Sequence, residues 1–197
     1  MKLILASGSA SRRQILSAAQ VPHIAIPADI DEERLKNDLL ARRVDISGIA
    51  VALAEAKALH VSAANPEALV LGADQTLLFQ GELVSKCLDM ASARRLLSRL
   101  RGKTHDLIGG LVLARAGQSI WRHVETSTLT MRDFSDAFLD TYLSTEGEAI
   151  LGCVGCYRLE GMGAQLFESV EGDYFSILGL PLQPLLAQLR RQGVIAT

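Results

Sequence analysis

The chain has few of the residues that mark specialised classes of protein. Of its 197 residues, only 3 are cysteine, 1 is tryptophan and 5% are aromatic. Three cysteines are too few for the disulfide framework of a small secreted protein, and they fit a reducing compartment. Aromatic residues this scarce and scattered do not form the base-stacking platform of a protein that binds single-stranded nucleic acid.

Long apolar runs and an excess of one charge are also missing. No window of 18 or more residues is continuously apolar, which predicts that no segment spans a membrane. The apolar run Leu3–Ala6 is too short for the core of a signal peptide. The formal net charge of -2 argues against a broad electrostatic footprint for nucleic acid. We therefore expect a cytoplasmic protein that has neither a membrane nor nucleic acid as a partner.

The remaining composition is that of an ordinary globular protein, with 49% hydrophobic and 21% charged residues. Strand patterns and helix patterns alternate along the chain, with hairpins between them, which predicts an α/β or α+β fold with a mixed sheet. Two short strands are expected around residues 171–173. No linker, repeat or low-complexity segment divides the chain, so residues 1–197 are interpreted as one domain. A second lobe near residues 87–145 is the alternative division.

The first 20 residues combine a short buried strand, a small polar turn and an amphipathic helix. The turn supplies Ser7, Ser9 and Ser11, and Arg12 and Arg13 follow at the start of the helix. A helix N-terminus presents unpaired N–H groups and the positive end of its dipole, which favours anions. The forked guanidinium of arginine matches phosphate oxygens. This segment therefore predicts a phosphate site.

Asp74 is the strongest candidate for a catalytic group. The apolar run Leu69–Leu71 predicts a buried strand that delivers Asp74 at its C-terminal end, beside the small residues Gly72 and Ala73. A carboxylate in such a place could hold Mg²⁺ or orient a water as a general base. The alternative is an aspartate that caps a turn.

Two lysines are candidates for binding an anionic ligand. Lys57 lies in an alanine-rich helix predicted over residues 48–64, where small neighbours would let its side chain reach a cleft. Lys86 follows a predicted hairpin over residues 76–84. The alternatives are a solvated helix face for Lys57 and an ordinary loop lysine for Lys86.

An acidic cluster and a cysteine pair complete the candidates. Asp31, Glu32 and Glu33 could hold Mg²⁺ near a phosphate, or they could form the acidic first turn of a helix. Cys153 and Cys156 form a CxxC motif, which is weak evidence for a redox pair. A zinc site would need two more ligands, and the sequence has no second pair of cysteines.

Taken together, these segments resemble the Maf family of nucleoside triphosphate pyrophosphatases. The resemblance runs from Leu3 to about Leu189. It rests on eight motifs that occur in the same order: Leu-Ala-Ser-x-Ser with Arg-Arg, Ala-Glu-Ala-Lys-Ala, Gly-Ala-Asp-Gln, Ser-Lys, Arg-Gly-Lys-Thr-His, Glu-Gly-x-Gly, Gly-Asp and Gly-Leu-Pro-Leu.

The resemblance implies a fold and an activity. The implied fold is an α/β protein with a mixed twisted sheet and flanking helices, in an elongated two-lobed body with a central cleft, similar to inosine triphosphatase. The implied activity is hydrolysis between the α and β phosphates of a nucleoside triphosphate, with Mg²⁺ or Mn²⁺ as cofactor and a homodimer as the assembly. The alternative is a nucleotide-binding regulator of cell division with little catalysis.

The resemblance also implies roles for individual residues. Asp74 would activate the water, and either Asp31 or Glu32 would help Asp74 to hold the metal. The residues that would contact the triphosphate are Ser7, Ser9, Arg12, Lys57 and Lys86.

Three positions separate the substrate classes of the family. Members that prefer dTTP and UTP have Arg, Thr and Gln there, and members that prefer 7-methyl-GTP have Trp, Gln and Glu. This chain has Ser11, Gln75 and Glu160, so two positions match the second class and Ser11 matches neither. The resemblance therefore implies a third, broader specificity. Cys87 also replaces the proline that usually follows Lys86, which predicts a less rigid loop.

Overall fold

The structure, a computed structural model, describes residues 2–197, which form two compact units. Unit 1 consists of residues 2–75, 108–125 and 174–197, and unit 2 consists of residues 76–107 and 126–173. Each unit is therefore built from segments that are far apart in the sequence.

Residues 2–197 form seven strands and seven α-helices, with two short 3₁₀ helices at Gly147–Gly152 and Met162–Leu166. The strands are β1 (Leu3–Leu5), β2 (Ile24–Ala25), β3 (Leu69–Phe79), β4 (Glu82–Val84), β5 (Thr104–Arg115), β6 (Gln118–Met131) and β7 (Phe167–Glu171). The helices are α1 (Ala10–Ala18), α2 (Glu32–Ala41), α3 (Ile46–Ala64), α4 (Met90–Leu100), α5 (Asp136–Glu146), α6 (Tyr174–Ile177) and α7 (Leu182–Arg191).

The sheet of unit 1 is covered by helices on both faces. Its strand order is β2-β1-β3-β5-β6, and β1 is parallel to both of its neighbours. Leu3 and Leu5 pack with buried residues of α1 and α7, whereas Ile4 and Ala6 pack with Val61 of α3. A strand with two buried faces is apolar throughout, as β1 is. The predicted mixed sheet with flanking helices is confirmed, since β1 pairs in parallel with β2 and β3, whereas β3 pairs with β4 in the antiparallel sense.

Helix α3 lies against the backbone of the sheet because two sheet positions have no side chain. A Cβ added to Gly72 would lie 2.0 Å from the carbonyl oxygen of Ala54, and one added to Gly110 would lie 2.5 Å from the backbone of Ala50. Ala54 and Ala58 continue the contact as fully buried residues. The alanine-rich helix predicted at 48–64 is therefore a core helix of unit 1.

The same helix is long and apolar enough to cross a membrane, as judged by length and composition alone, with a mean hydropathy of 1.3. The core helix of a globular protein meets the same criteria. In this protein eight residues of α3 are buried within the fold, and Ala54 and Ala58 pack against Val112 and Ala114 of β5.

Strand β3 differs from the sequence prediction in a way that matters for Asp74. The sequence predicts a strand with Asp74 at its C-terminal end, but β3 is one strand of 11 residues that continues to Phe79. Its parallel register with β1 ends at Leu71, and its far end pairs with β4. Asp74 therefore lies in the middle of a strand and not at its end. Gly72, a small neighbour of Asp74 in the sequence, serves the close approach of α3.

Only the first of the two strands expected around residues 171–173 is present. Strand β7 is present before them, but the residues after them form the short helix α6. The segment 174–177 is too short for its apolar pattern to distinguish a strand from a helix turn.

Unit 2 begins with the predicted hairpin. Strands β3 and β4 meet through Gln80 and Gly81, which both have positive φ angles, of 53° and 83°. Asp89 caps α4 in a reciprocal capping box with Ser92, and Ser135 caps α5. Local sequence signals therefore place these ends correctly.

His105 is a buried histidine of unit 2. It is 2% exposed, its Nε2 lies 2.8 Å from the hydroxyl of Tyr157, and its ring packs near Phe167. Burial lowers the pKa of His105 from 6.5 to about 4, and Asp106 opposes that shift. The imidazole is therefore neutral in the folded protein at pH 7.

We expect this histidine to make the protein less stable in mild acid. Between pH 6.5 and about 4 the unfolded chain binds a proton at His105 and the folded chain does not, so the stability present above pH 6.5 is lost as the pH falls. At pH 5 the loss is about 2 kcal/mol. Urea unfolding at pH 7 and pH 5 measures it, with His105→Gln as the variant that lacks this titration. Equal pH dependence in the two proteins would contradict the prediction.

Candidate functional site

A buried lysine between two carboxylates lies at the centre of the candidate site. The ammonium of Lys57 donates to Asp74 Oδ1 at 2.5 Å and is paired with Glu32 Oε2 at 2.8 Å. The side chains of Lys57 and Asp74 are 8% and 11% exposed, and that of Glu32 is 46% exposed. The three residues come from α3, β3 and α2. The site is therefore an ion-pair cluster that reaches solvent on the Glu32 side.

The position of each acidic residue at the start of α2 determines which of them reaches the site. Asp31 is the N-cap of α2, and its carboxylate accepts the backbone N–H of Arg34 at 2.9 Å. Glu32 is the first residue of that helix, and its side chain contacts Lys57. The sequence left Asp31 and Glu32 as alternatives, and the structure brings Glu32 to the ion-pair cluster. Glu33 instead pairs with Lys36 at 2.7 Å.

Arg12 is buried and ties three segments together. Its Nη1 donates to Ser7 Oγ at 3.0 Å and to the carbonyl of Ala73 at 2.8 Å. Its Nε donates to the carbonyl of Gly179 at 2.9 Å. The guanidinium thus fixes the backbone one residue before Asp74, and it joins that backbone to the start of the chain and to the segment before α7.

The charge of Arg12 belongs to the same cluster. Burial lowers the pKa of Arg12 below its ordinary value of 12.5, and the negative charges of Asp74 and Glu32 oppose that shift. Two cations, Arg12 and Lys57, therefore lie within electrostatic reach of two carboxylates. Such a cluster has cationic groups to offer an incoming anion and a carboxylate to receive a proton.

Arg12→Lys should destabilise the fold strongly, although the substitution keeps the positive charge. A lysine has one ammonium, which cannot serve both carbonyl oxygens of Ala73 and Gly179, and an unpaired buried acceptor costs about 1–3 kcal/mol. We expect the free energy of unfolding in urea to fall by about 2–4 kcal/mol. Arg13→Lys is the matched control, because Arg13 makes an exposed bond to the carbonyl of Gly8. Equal stability of the two variants would contradict the prediction.

The three serines of the N-terminal turn have different places. Ser9 is the N-cap of α1 and accepts the backbone N–H of Arg12. Ser7 is buried, and its oxygen accepts from Ser9 N–H and from Arg12. Ser11 is half-buried in the first turn of α1. The turn and helix predicted from the sequence are confirmed, and they place the N-terminus of a nine-residue helix beside Arg12.

Gln75 is held by the segment 176–179, for which the sequence predicted no role. Its Nε2 donates to the carbonyls of Ser176 and Ile177 at 2.9 and 3.2 Å. Two residues later, Gly179 has a φ of 94°, and its carbonyl is the acceptor for Arg12. The segment 176–179 therefore positions two of the candidate residues through its backbone. The only signal for it was the Gly-Leu-Pro-Leu motif that begins at Gly179.

Lys86 and Glu160 belong to unit 2. Lys86 is exposed and follows β4, and Glu160 Oε1 accepts from the Nε of Arg158 at 3.4 Å. Burial raises the pKa of the Cys153 thiol, and the charge of Glu160 adds to that shift while the charge of Lys86 opposes it. Their predicted contacts with a nucleotide stay predictions.

Metal ligands are few at the site. Across residues 2–197 no three or more His, Cys, Asp and Glu side chains are gathered in a group that could hold a metal ion. Protein-bound Mg²⁺ commonly uses only one or two carboxylates, with substrate phosphates and waters as the other ligands. Glu32 and Asp74, the two carboxylates on Lys57, supply that number of carboxylates.

Comparison with known proteins gives a consistent family. A family model described as "Maf-like protein" matches residues 2–192. A protein of Maricaulis maris named nucleoside triphosphate pyrophosphatase is 53% identical over 98% of this chain and 98% of its own length. A protein of Brucella abortus named 7-methyl-GTP pyrophosphatase is 46% identical over 99% of this chain and 98% of its own length.

Among solved structures, a nucleoside-triphosphatase (dITP/XTP pyrophosphatase) of Mycobacterium abscessus matches with a TM-score of 0.39 and 10% identity. The match covers 98% of this chain and 96% of that one.

Proposed function

The chain belongs to the family of Maf-like proteins, and on that premise we propose that it hydrolyses nucleoside triphosphates to a nucleoside monophosphate and pyrophosphate. The observation that carries the proposal is the buried ion pair between Asp74 and Lys57, with Arg12 and the N-terminus of α1 in the same cluster. It combines a proton acceptor with several cationic groups, as triphosphate hydrolysis requires.

Asp74 is the proposed proton acceptor. Its Oδ1 is held by Lys57, which leaves Oδ2 to orient a water and take its proton. The water oxygen then bonds to phosphorus of the α–β anhydride, the bridging P–O bond breaks, and pyrophosphate leaves with that bond's electrons. No covalent enzyme intermediate is needed.

The cationic groups of unit 1 are proposed to bind the triphosphate. Lys57 and Arg12 oppose its negative charge, and the N–H groups at the start of α1 receive phosphate oxygens. Ser7 and Ser9 use their oxygens as acceptors within the protein, so their O–H groups remain as donors to phosphate. The roles predicted for Lys86 and Glu160 stay predictions.

Glu32 and Asp74 are the residues proposed to hold a divalent cation, Mg²⁺ or Mn²⁺. When bound, such an ion neutralises the charge that develops on the leaving pyrophosphate. Asp31 is a poorer candidate than Glu32, because its carboxylate caps α2. Lys57 holds both ligands in place through its two bonds.

A broad base specificity is proposed from Ser11. Its hydroxymethyl group can neither stack on a base, as a tryptophan does, nor donate a fork, as an arginine does. The relatives named for 7-methyl-GTP and those named for nucleoside triphosphates in general have similar identities to this chain, 46% and 53% in the two cases above. The amide N–H groups of Gln75 are engaged by backbone carbonyls, so its side-chain oxygen is the atom left for a base.

The test is pyrophosphate release from UTP, dTTP, ATP and 7-methyl-GTP with Mg²⁺ or Mn²⁺. We expect turnover of several bases with kcat/KM values within about tenfold of one another, the range that one modest pocket contact discriminates. Removal of the metal with EDTA should abolish release, and added Mg²⁺ should restore it. Tight nucleotide binding without release would instead favour the alternative, a regulator with little catalysis.

A cytoplasmic homodimer is proposed as the working form. All three cysteines are free thiols, in keeping with a reducing compartment. The dimer rests on the family resemblance alone, and analytical ultracentrifugation of the purified protein tests it.

A further inference from the structure

Unit 2 contains a buried carboxylate, that of Glu146, which no step of the proposed reaction uses. Glu146 is the last residue of α5, and its side chain is 6% exposed. A carboxylate is disfavoured there for two reasons, because burial removes its water and because the C-terminal end of a helix carries negative partial charge. The partners that compensate this charge therefore indicate what the residue does.

Both partners of Glu146 belong to the loop 158–162. Its Oε1 accepts the backbone N–H of Met162 at 2.7 Å, and its Oε2 accepts from the Nη1 of Arg158 at 3.3 Å. The loop can approach the carboxylate because residue 161 is a glycine, where a Cβ would lie 2.4 Å from Glu146 Oε1. Glu146 therefore ties the two ends of this loop to α5, and the first glycine of the Glu-Gly-x-Gly motif makes room for its carboxylate.

Arg158 connects Glu146 to Glu160, which lies in the middle of the loop. While its Nη1 donates to Glu146, its Nε donates to Glu160 Oε1 at 3.4 Å. One planar guanidinium thus lies between two carboxylates, so the anchored carboxylate of Glu146 sets the direction of the other. The Glu160 side chain is 27% exposed, and within residues 2–197 its Oε2 has no bonded donor. That oxygen and the second lone pair of Oε1 therefore remain for a ligand.

We propose that Glu146, acting through Arg158, is a positioning residue that holds the Glu160 carboxylate for recognition of the nucleotide base. This inference rests on the proposed function and on the predicted contact of Glu160 with a nucleotide. A carboxylate accepts well from two neighbouring N–H groups, which guanine offers at N1 and at its 2-amino group. Uracil has one N–H, which lies between two carbonyl oxygens that repel a carboxylate. The arrangement therefore favours guanine over uracil.

Binding of the hydrolysis-resistant α,β-methylene analogues of GTP and UTP to the full-length protein tests this proposal. We expect the wild type to bind the GTP analogue about fivefold more tightly, the effect of one hydrogen bond. In Glu146→Gln the single amide oxygen can serve Met162 or Arg158 but not both, so the guanidinium is free to close on both oxygens of Glu160. The preference for the GTP analogue should then be lost. Isothermal titration calorimetry with Mg²⁺ measures both Kd values.

Further variants separate positioning from a loss of structure. Glu160→Gln should lose the same preference, and the double variant Glu146→Gln/Glu160→Gln should lose no more, because both changes act through one carboxylate. Arg158→Lys changes a partly exposed side chain and serves if Glu146→Gln does not fold. Its single ammonium cannot bridge two carboxylates as a fork does, so it should lose the preference too. Glu168→Gln removes an exposed charge of β7 and should keep it. Urea unfolding checks each fold.

The positioning role would be overturned by an unchanged preference in folded Glu146→Gln or Arg158→Lys, or by equal Kd values of the two analogues in the wild type. A double variant that bound the GTP analogue more weakly than either single variant would also overturn it, since Glu146 would then act independently of Glu160. Pyrophosphate release is the separate readout of the proposed function. A wild type that bound the analogues with the expected preference but released no pyrophosphate from GTP or UTP would refute that function and support the positioning role. A wild type that bound neither analogue would overturn both.

Discussion

Asp74→Asn is expected to lower kcat for pyrophosphate release by about 10³-fold, the usual contribution of a general base. The amide oxygen can still accept the bond from Lys57 that Asp74 Oδ1 accepts at 2.5 Å, so the buried cluster keeps its shape. The amide cannot take a proton from water. Steady-state release of pyrophosphate measures the loss, and urea unfolding checks that the variant is folded.

Asp38→Asn is the matched control for this experiment. Asp38 is an exposed aspartate of α2, and its replacement makes the same change of charge in the same unit. We expect its kcat to remain within twofold of the wild type, since an exposed charge is largely screened at physiological ionic strength. A variant at Asp74 that kept more than a tenth of the activity would remove that residue from the proposed mechanism.

Gly72→Ala is expected to have the largest effect on the fold of unit 1. The new Cβ would lie 2.0 Å from the carbonyl oxygen of Ala54 and 2.9 Å from the backbone nitrogen of Ala58. Both contacts are with the backbone of α3, so the helix itself must move. Overpacking of this kind costs about 3 kcal/mol, and the shift displaces Lys57, which α3 carries between those two alanines. We expect unfolding at lower urea and a large loss of pyrophosphate release.

Gly48→Ala places the same methyl group on α3 itself. Its Cβ would meet only a side-chain carbon of Val44, at an ordinary contact distance of 3.6 Å. Alanine is a better helix former than glycine, so we expect a gain of about 0.5 kcal/mol and unchanged turnover. If Gly72→Ala were as stable as Gly48→Ala, the close contact of α3 with the sheet would be refuted.

Local features of the fold could be predicted from the sequence because their causes are local. The caps Asp89 and Ser135, the hairpin turn at Gln80 and the N-terminal turn before α1 all depend on residues within a few positions of one another. The alanine-rich segment around Lys57 could be identified as a helix for the same reason. Its burial could not, because that depends on glycines of two distant strands.

The residues of the candidate site could be predicted from the sequence, but the hydrogen bonds and ion pairs between them could not. Nothing near Lys57 in the sequence shows that Glu32 rather than Asp31 contacts it. The bond from Arg12 to Gly179 joins residues 167 positions apart, and one sequence has no signal for such a pair. The error at Asp74 has the same origin, since the end of a strand depends on which neighbour it pairs with.

That long-range bond has a consequence for synthesis of the protein on the ribosome. Unit 1 includes both residues 2–75 and the segment 174–197. The acceptors for Arg12 and Gln75 at residues 176–179 are synthesised 167 residues after Arg12 and 101 or more residues after Gln75. A nascent chain therefore carries its N-terminal turn, the proposed phosphate site, without these bonds until residues 176–179 have been added. Chains that end before residue 174 should bind no triphosphate, however well their other segments fold.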